Sequence, residues 1–272
     1  MNNLDPRIIN NNQNNDAHVL ETYLNLIDKD NKTYIDIGSS NHYNLNYDRI
    51  EKSEQTIFFE CDTTKSSFYD KWDLKNFDLV TKKVTPDNIV EEIQRVTDNT
   101  NPKLVDIDID GYDFFVLKAL LEKISPSLLV AEINEKIPPP IKFTVNYWPE
   151  YWFADVNRYG TVDDSHFYGM SLSKFYELAN EYGYDVINLT FNNVYAVRKN
   201  KNPGLETFEE SKLYDTFYKN PRLTGAAPMF YYNSNMDPLL RLSPDEGVKF
   251  LRSHYESRGY GDPDGDFYDL YL

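Results

Sequence analysis

The stretch from Leu104 to Asp113, which reads Leu-Val-Asp-Ile-Asp-Ile-Asp-Gly-Tyr-Asp, restricts the fold of this chain more than any other. Asp106, Asp108 and Asp110 alternate with Val105, Ile107 and Ile109. Side chains on a strand point alternately to its two faces, so the carboxylates share one face and the aliphatic groups the other. A carboxylate turned into a protein is costly unless it meets a partner, a ligand, a metal or water. The stretch is therefore either a polar-faced edge strand or a strand whose last acids reach past its end. In the second case Gly111 opens the turn into a helix that carries Phe114 to Leu117 and Ala119 to Leu121.

Strand and helix patterns alternate on both sides of it. Asp16 caps a helix to about Asp28, with Val19, Leu20, Tyr23, Leu24 and Ile27 at helical spacing. Thr33 to Ile37 reads as a buried strand ending in Gly38-Ser39-Ser40-Asn41, a loop of small residues that lets backbone amides approach a ligand. A short helix from Tyr47 to Lys52 leads to the run Thr56 to Phe59, which ends in Glu60-Cys61-Asp62. A third strand region starts at Phe77 and reaches about Val84. Thr85-Pro86-Asp87-Asn88 then starts a helix that turns Ile89, Val90, Ile93 and Val96 inward. Leu104 onwards is the fourth strand, with its helix running to about Lys123, and Ser127 to Ala131 is the fifth, ending at Glu132-Ile133-Asn134. Such alternation builds right-handed crossovers and a parallel sheet covered on both faces, with ligands at the carboxyl ends of the strands.

After Asn134 the rhythm breaks. Residues 135–169, with Pro138-Pro139-Pro140, Tyr147-Trp148 and Tyr151-Trp152, read as a long aromatic loop on the acceptor side of a site. Ser171 caps a further helix. Tyr184 to Leu189 and Val194 to Arg198 form a hairpin across Phe191-Asn192-Asn193, so the last strand runs antiparallel to the others. The chain divides into an Asn-rich arm (1–15), a ligand-binding domain (16–200) and a carboxy-terminal extension (201–272) with a helix from Asp245 to Tyr255.

A formal net charge of -16 and the lack of any Lys/Arg run argue against nucleic acid as the main partner. The apolar runs are far shorter than the roughly 20 residues needed to cross a bilayer, and the amino terminus is not a signal sequence, so the expectation is a soluble, unexported protein. Cys61 is the only cysteine, which excludes an internal disulfide and a cysteine-based zinc site.

Gly38 after the first strand and Glu60 after the second, 24 positions beyond Asp36, form the arrangement that holds an adenosine, the carboxylate accepting hydrogen bonds from the ribose hydroxyls. A nicotinamide dinucleotide needs Gly-x-Gly-x-x-Gly for its pyrophosphate, and here the loop Gly38 to Tyr43 has one glycine. S-adenosylmethionine carries no phosphate and fits the Asp-x-Gly opening and the antiparallel last strand better. Asp36-Ile37-Gly38-Ser39-Ser40, Phe59-Glu60-Cys61-Asp62, Lys83 to Asn88, Asp106 to Asp113, Glu132-Ile133-Asn134, Tyr168 to Leu172 and Ala196-Val197-Arg198 occur in an order that resembles the FkbM-like branch of class I S-adenosylmethionine-dependent methyltransferases, over roughly residues 30–200.

That resemblance implies a Rossmann-like α/β fold: a seven-stranded, mostly parallel sheet with an antiparallel last strand and helices on both faces. It implies cytoplasmic enzymes, S-adenosylmethionine as cofactor, and methyl transfer to a hydroxyl of a small polar acceptor such as a sugar, a nucleotide-linked sugar or a capsule or natural-product precursor. N-methylation is the nearest variant. An NAD(P)-dependent oxidoreductase and a non-catalytic binding protein of the same fold are the readings from other classes. On this pattern Asp36, Gly38 and Ser39 face the methionine end, Glu60 takes the ribose with Asp62 as its substitute, and Val84 borders the adenine. Asp108 and Asp110 lie at the methyl-transfer point, as bases, as groups that orient the acceptor, or, for Asp108 with Glu132 and Asn134, as ligands of Mg2+. His166 is the most plausible histidine base, with His42 its rival, since His18 and His254 fall on surface helices. Tyr147, Trp148, Tyr151 and Trp152 suit a lid over the acceptor.

Overall fold

The computed structural model describes residues 16–39, 47–66, 76–148, 165–224, 228–260 and 267–272. The Asn-rich arm, His42, Tyr151 and Trp152 lie outside the described residues.

Helix α1 (Asp16–Leu26) buries Val19, Leu20, Tyr23 and Leu24 along one stripe. Each side chain of this size is worth about 1.5–3 kcal/mol when removed from water. In strand β1 (Thr33–Ile37) every residue is buried, the signature of a strand inside a covered parallel sheet. There follow α2 (Tyr47–Glu51), β2 (Gln55–Phe59), α3 (Thr63–Ser66), β3 (Phe77–Val80), α4 (Ile89–Val96), β4 (Leu104–Ile107), α5 (Asp113–Leu121) and β5 (Leu128–Glu132). Then come β6 (Lys142–Val145), α6 (Leu172–Glu181), β7 (Tyr184–Thr190) and β8 (Asn193–Arg198), and, in the carboxy-terminal region, α7 (Glu210–Tyr214), α8 (Asn220–Thr224), α9 (Pro244–Glu256) and β9 (Tyr268–Tyr271).

Seven strands form one sheet in the order β3-β2-β1-β4-β5-β8-β7. β1 to β5 pair in parallel, and β8 runs antiparallel between β5 and β7. This is the Rossmann-like methyltransferase fold, with its mostly parallel sheet and antiparallel last strand. The strand order reverses between β1 and β4, and in open sheets of this kind the crevice outside the carboxyl ends at that point is where ligands sit. β4 is central, which removes the edge-strand reading of Leu104 to Asp113. One sheet face, with Ile35, Ile37, Ile57, Val105, Ile107 and Leu129, packs under α4, α5 and α6. The other, with Tyr34, Phe58, Leu104, Leu128 and Val130, packs under α1.

Three boundaries differ from expectation. The third strand ends at Val80 and the fourth at Ile107, so Asp108 to Tyr112 is a turn and not strand. The stretch read as an aromatic loop contains β6, which pairs antiparallel with β9 at the far end of the chain. Phe143 of β6 stacks on Tyr255 of α9, with ring centroids 5.3 Å apart, and Phe167 stacks on Tyr260 at 4.3 Å. The carboxy-terminal extension thus shares its apolar core with the helices on that face of the sheet. Ser243 and Glu246 start α9 with a capping box, and Gly247 lets it approach Ile141. Among the described residues no helix is long and apolar enough to cross a membrane.

Candidate active site

At the switch point the backbones of β1 and β4 meet without room for a side chain. Gly38 has φ +89°, and a Cβ placed on it would lie 1.7 Å from the carbonyl oxygen of Asp108. The Asp108 amide donates to the Ile37 carbonyl (2.9 Å), which locks the two strand ends together. The amides of Gly38 and Ser39 both donate to the Phe59 carbonyl, at 2.9 and 3.2 Å. These two amides are therefore committed to the turn, and the missing side chain of the glycine lets the β1 and β4 ends close on each other. Ser39 is buried beneath it.

Carboxylates surround this turn. Asp36 lies beside Asp106 in the register of β1 and β4, on the same face of the sheet. Burial, and then the charges of Asp106, Asp108 and Glu60, hold the Asp36 carboxyl well above the usual carboxylate range. Asp108 stands in a recess, encircled by protein but with part of its surface open. Burial and the neighbouring Asp110 and Asp113 push its carboxyl well up, opposed by a hydrogen bond with Glu132. Glu132 is raised in turn by burial and by the neighbouring Asp108. One oxygen from each of Asp108, Asp110 and Glu132 lies within 4.8 Å of the others. Asp110 adopts a left-handed backbone (φ 57°), tolerable for Asp, and its carboxyl is also raised, by burial, with Lys65 of α3 in partial opposition.

The turn that holds these acids is fastened by Asp113 at the start of α5. Its carboxylate accepts from the amides of Ile109 (2.8 Å) and Gly111 (2.9 Å), and burial raises its pKa to about 6. The fourth acid of the run is thus a staple for the turn. Glu60, buried at the end of β2, accepts from the Asp62 amide through Oε1 (2.7 Å), and its Oε2 has no partner among the described residues. Asp62 instead accepts from the Thr64 amide and hydroxyl and starts α3, which makes it a cap. Val84 is buried in the core, and its carbonyl accepts from the Tyr112 hydroxyl (2.8 Å). Tyr147 meets Tyr112 edge to face, while Trp148 packs against Phe267 near the carboxyl terminus.

His166 is not brought to the acids. It is 2% exposed, its Nε2 is 2.8 Å from Asn235 Oδ1, and its ring stacks on His254. Burial and the nearby Lys136 charge lower its pKa to about 3, so it stays neutral and is a poor proton acceptor. His254, expected on a surface helix, is buried and faces the Ser165 carbonyl. Asn134 uses its side-chain nitrogen to hold the carbonyls of His166 (2.8 Å) and Tyr168 (3.3 Å), which leaves a buried Oδ1 without a partner among the described residues. Three residues here were not singled out from sequence. Asn192, in the β7–β8 turn, donates to Glu132 Oε1, and the buried pair Glu135–Lys136 (2.8 Å) closes on the Tyr168 hydroxyl. All three act through loops that only the folded chain brings together.

No protein-family profile and no curated protein sequence matches the chain. Among solved structures, it is similar to magnesium protoporphyrin IX methyltransferase from Synechocystis PCC 6803, at 9% identity over 67% of this chain and 76% of that one, with a TM-score of 0.39. It is also similar to an S-adenosylmethionine-dependent methyltransferase from Clostridium acetobutylicum, at 9% identity over 71% and 94% of the two chains and a TM-score of 0.39. A third, an S-adenosylmethionine-dependent methyltransferase from Archaeoglobus fulgidus, is 16% identical over 62% and 67%, with a TM-score of 0.37.

Proposed function

We propose that the chain is an S-adenosylmethionine-dependent methyltransferase of the FkbM-like kind that methylates a hydroxyl group of a small polar acceptor. The observation that carries this reading is the ring of carboxyls with raised proton affinity, Asp36, Asp108, Asp110 and Glu132, around a turn that only glycine fits. Such a cleft attracts a cation and repels a pyrophosphate, which favours a sulfonium ligand over a nicotinamide dinucleotide. S-adenosylmethionine, when bound, supplies a methyl group on a positively charged sulfur.

The residues divide the remaining work. Glu60 offers its free oxygen to the ribose hydroxyls, and Asp36 faces the ammonium group of the methionine end. The bare backbone at Gly38 brings the ends of β1 and β4, and with them Asp36 and Asp108, together at the cleft. Asp108 and Glu132, with raised proton affinity, take the proton of the acceptor hydroxyl as its oxygen becomes the nucleophile. Fixing that oxygen in line supplies much of the rate, which is the task of Asp110 and the Tyr112–Tyr147 wall. The oxygens of Asp108, Asp110 and Glu132 also suit a hard divalent cation such as Mg2+, with Asn134 Oδ1 the remaining free acceptor nearby in sequence. A cation there would lower the acids' proton affinity and orient a polar acceptor.

A thermal-shift series tests the reading. S-adenosylhomocysteine should raise the melting temperature and NAD and NADP should not. Glu60→Ala should abolish the shift while circular dichroism stays unchanged. The proposal is refuted by a wild-type protein that ignores S-adenosylhomocysteine.

A further inference from the structure

The chain has no run of basic residues, yet the fold gathers Lys29, Lys32, Arg49, Lys52 and Lys103 around one pocket of about 530 Å3. It lies between α1, α2 and the amino-terminal ends of β1 and β4. The carboxylate cleft is at the other end of the same strands, roughly 16 Å away for a strand of this length. In a chain of net charge -16, a pocket with five cations and one acid, Glu21, is a local inversion of sign.

Glu21 is already engaged. Arg49 donates to both of its oxygens, at 2.8 and 2.6 Å, and also to Asn25 Oδ1 at 2.7 Å, so this corner is fixed in place. Lys103 is the unusual member. Its residue is 2% exposed, and among the described residues its ammonium group has no hydrogen-bond or ion-pair partner. Burial, with Arg49 adding to it, lowers its pKa to about 8, while Asp28, Asp30 and Glu21 oppose the shift from a distance. Asp28 is itself held by Ser127 and Lys201. A lysine this buried, with acids only at a distance, is a cost that a folded chain seldom keeps without use. Lys29, Lys32 and Lys52 at the rim are exposed and likewise form no ion pair among the described residues.

We propose that this pocket binds a small polyanion carrying phosphate groups, with Lys103 at its floor, Arg49 as the fixed wall and the three exposed lysines as a mobile rim. Pockets of this size hold small metabolites, and ammonium and guanidinium groups are the natural phosphate donors. The site is separate from the methyl-transfer reading and stands whether or not that reading holds.

The experiment is isothermal titration of the full chain with inorganic pyrophosphate at neutral pH and low salt. The wild type should bind. Lys103→Met, which keeps the length and apolar stem of the side chain, should bind roughly 10- to 100-fold more weakly, the loss of one charge-assisted hydrogen bond. The double variant Lys29→Ala/Lys52→Ala changes exposed positions only, and it should weaken binding while circular dichroism reports an intact fold. Absence of wild-type binding, or affinity unchanged in both variants, overturns the proposal.

Discussion

Replacing Gly38 by Ala tests the cleft most directly, because the structure gives both the strain and the collision. At φ +89° an alanine sits where L-residues are disfavoured by about 1–2 kcal/mol. Its Cβ would lie 1.7 Å from the Asp108 carbonyl oxygen, 2.6 Å from its carbon and 3.2 Å from Ile109 Cγ2. The first two are backbone atoms held by the Asp108–Ile37 hydrogen bond, so relief requires moving the strand end, at about 1–3 kcal/mol or more for forced overpacking. Alanine stiffens the unfolded chain by less than about 1 kcal/mol in the opposite sense. The net loss is about 2–5 kcal/mol, or roughly 5–20 °C in melting temperature for a chain of this size. Gly183→Ala is the control: it too has positive φ (79°), but nothing lies within 4 Å of its Cβ, so it should lose only about 1–2 kcal/mol, the strain alone. Thermal unfolding followed by circular dichroism separates the two, and calorimetry with S-adenosylhomocysteine should show affinity lost in Gly38→Ala and kept in Gly183→Ala. Equal melting temperatures and equal affinities would refute the claim that the two strand ends form the wall of the site.

Glu132→Gln tests the raised carboxyl. Because the folded carboxyl is raised above its ordinary value of 4.5, the native state keeps a proton that the unfolded chain releases, so this group's contribution to stability falls as pH rises above about 4.5. Glutamine removes that dependence: relative to wild type, the variant should gain melting temperature at pH 8 more than at pH 5, and an identical difference at both would remove Glu132 from the coupled pair. Millimolar Mg2+ should raise the melting temperature of the wild type and not that of Asp108→Asn, and a shift of equal size in both would place the cation elsewhere.

The parts of this molecule that could be read from sequence are those in which cause and effect lie within a few residues. β1 and β5 announce themselves as short, mainly apolar runs, α1 by its stripe and α6 by Ser171, whose hydroxyl accepts from the Lys174 amide as a cap should. Gly38 could be singled out because a glycine closing a buried strand marks backbone approaching backbone. The four acids of Asp106 to Asp113 could be listed but not sorted. Asp113 faces the amides of its own turn and the Asp108 carboxyl faces Glu132, and no period of two distinguishes a staple from a proton acceptor.

What escaped the sequence depends on distant pairings. β6 pairs with β9 across more than a hundred residues, and each strand is too short for its own alternation to count against the aromatic residues around it. His166 sits in a polar stretch, as a catalytic base would, and only the packing of the α9 region over it, through His254 and Asn235, turns it inward and keeps it neutral. The basic pocket is the clearest case, since Lys29, Arg49 and Lys103 lie far apart in the sequence and other basic residues between them, such as Lys65 and Arg95, do not line it. Net charge describes the sum over the surface, but a ligand responds to the local potential, and a parallel sheet can hold opposite signs at its two ends. The chain places carboxyls of raised proton affinity at the carboxyl end of β1 and β4 and a lysine of lowered proton affinity at their amino end. Both ends keep ionisable groups in costly surroundings, which is the physical reason to expect a ligand at each.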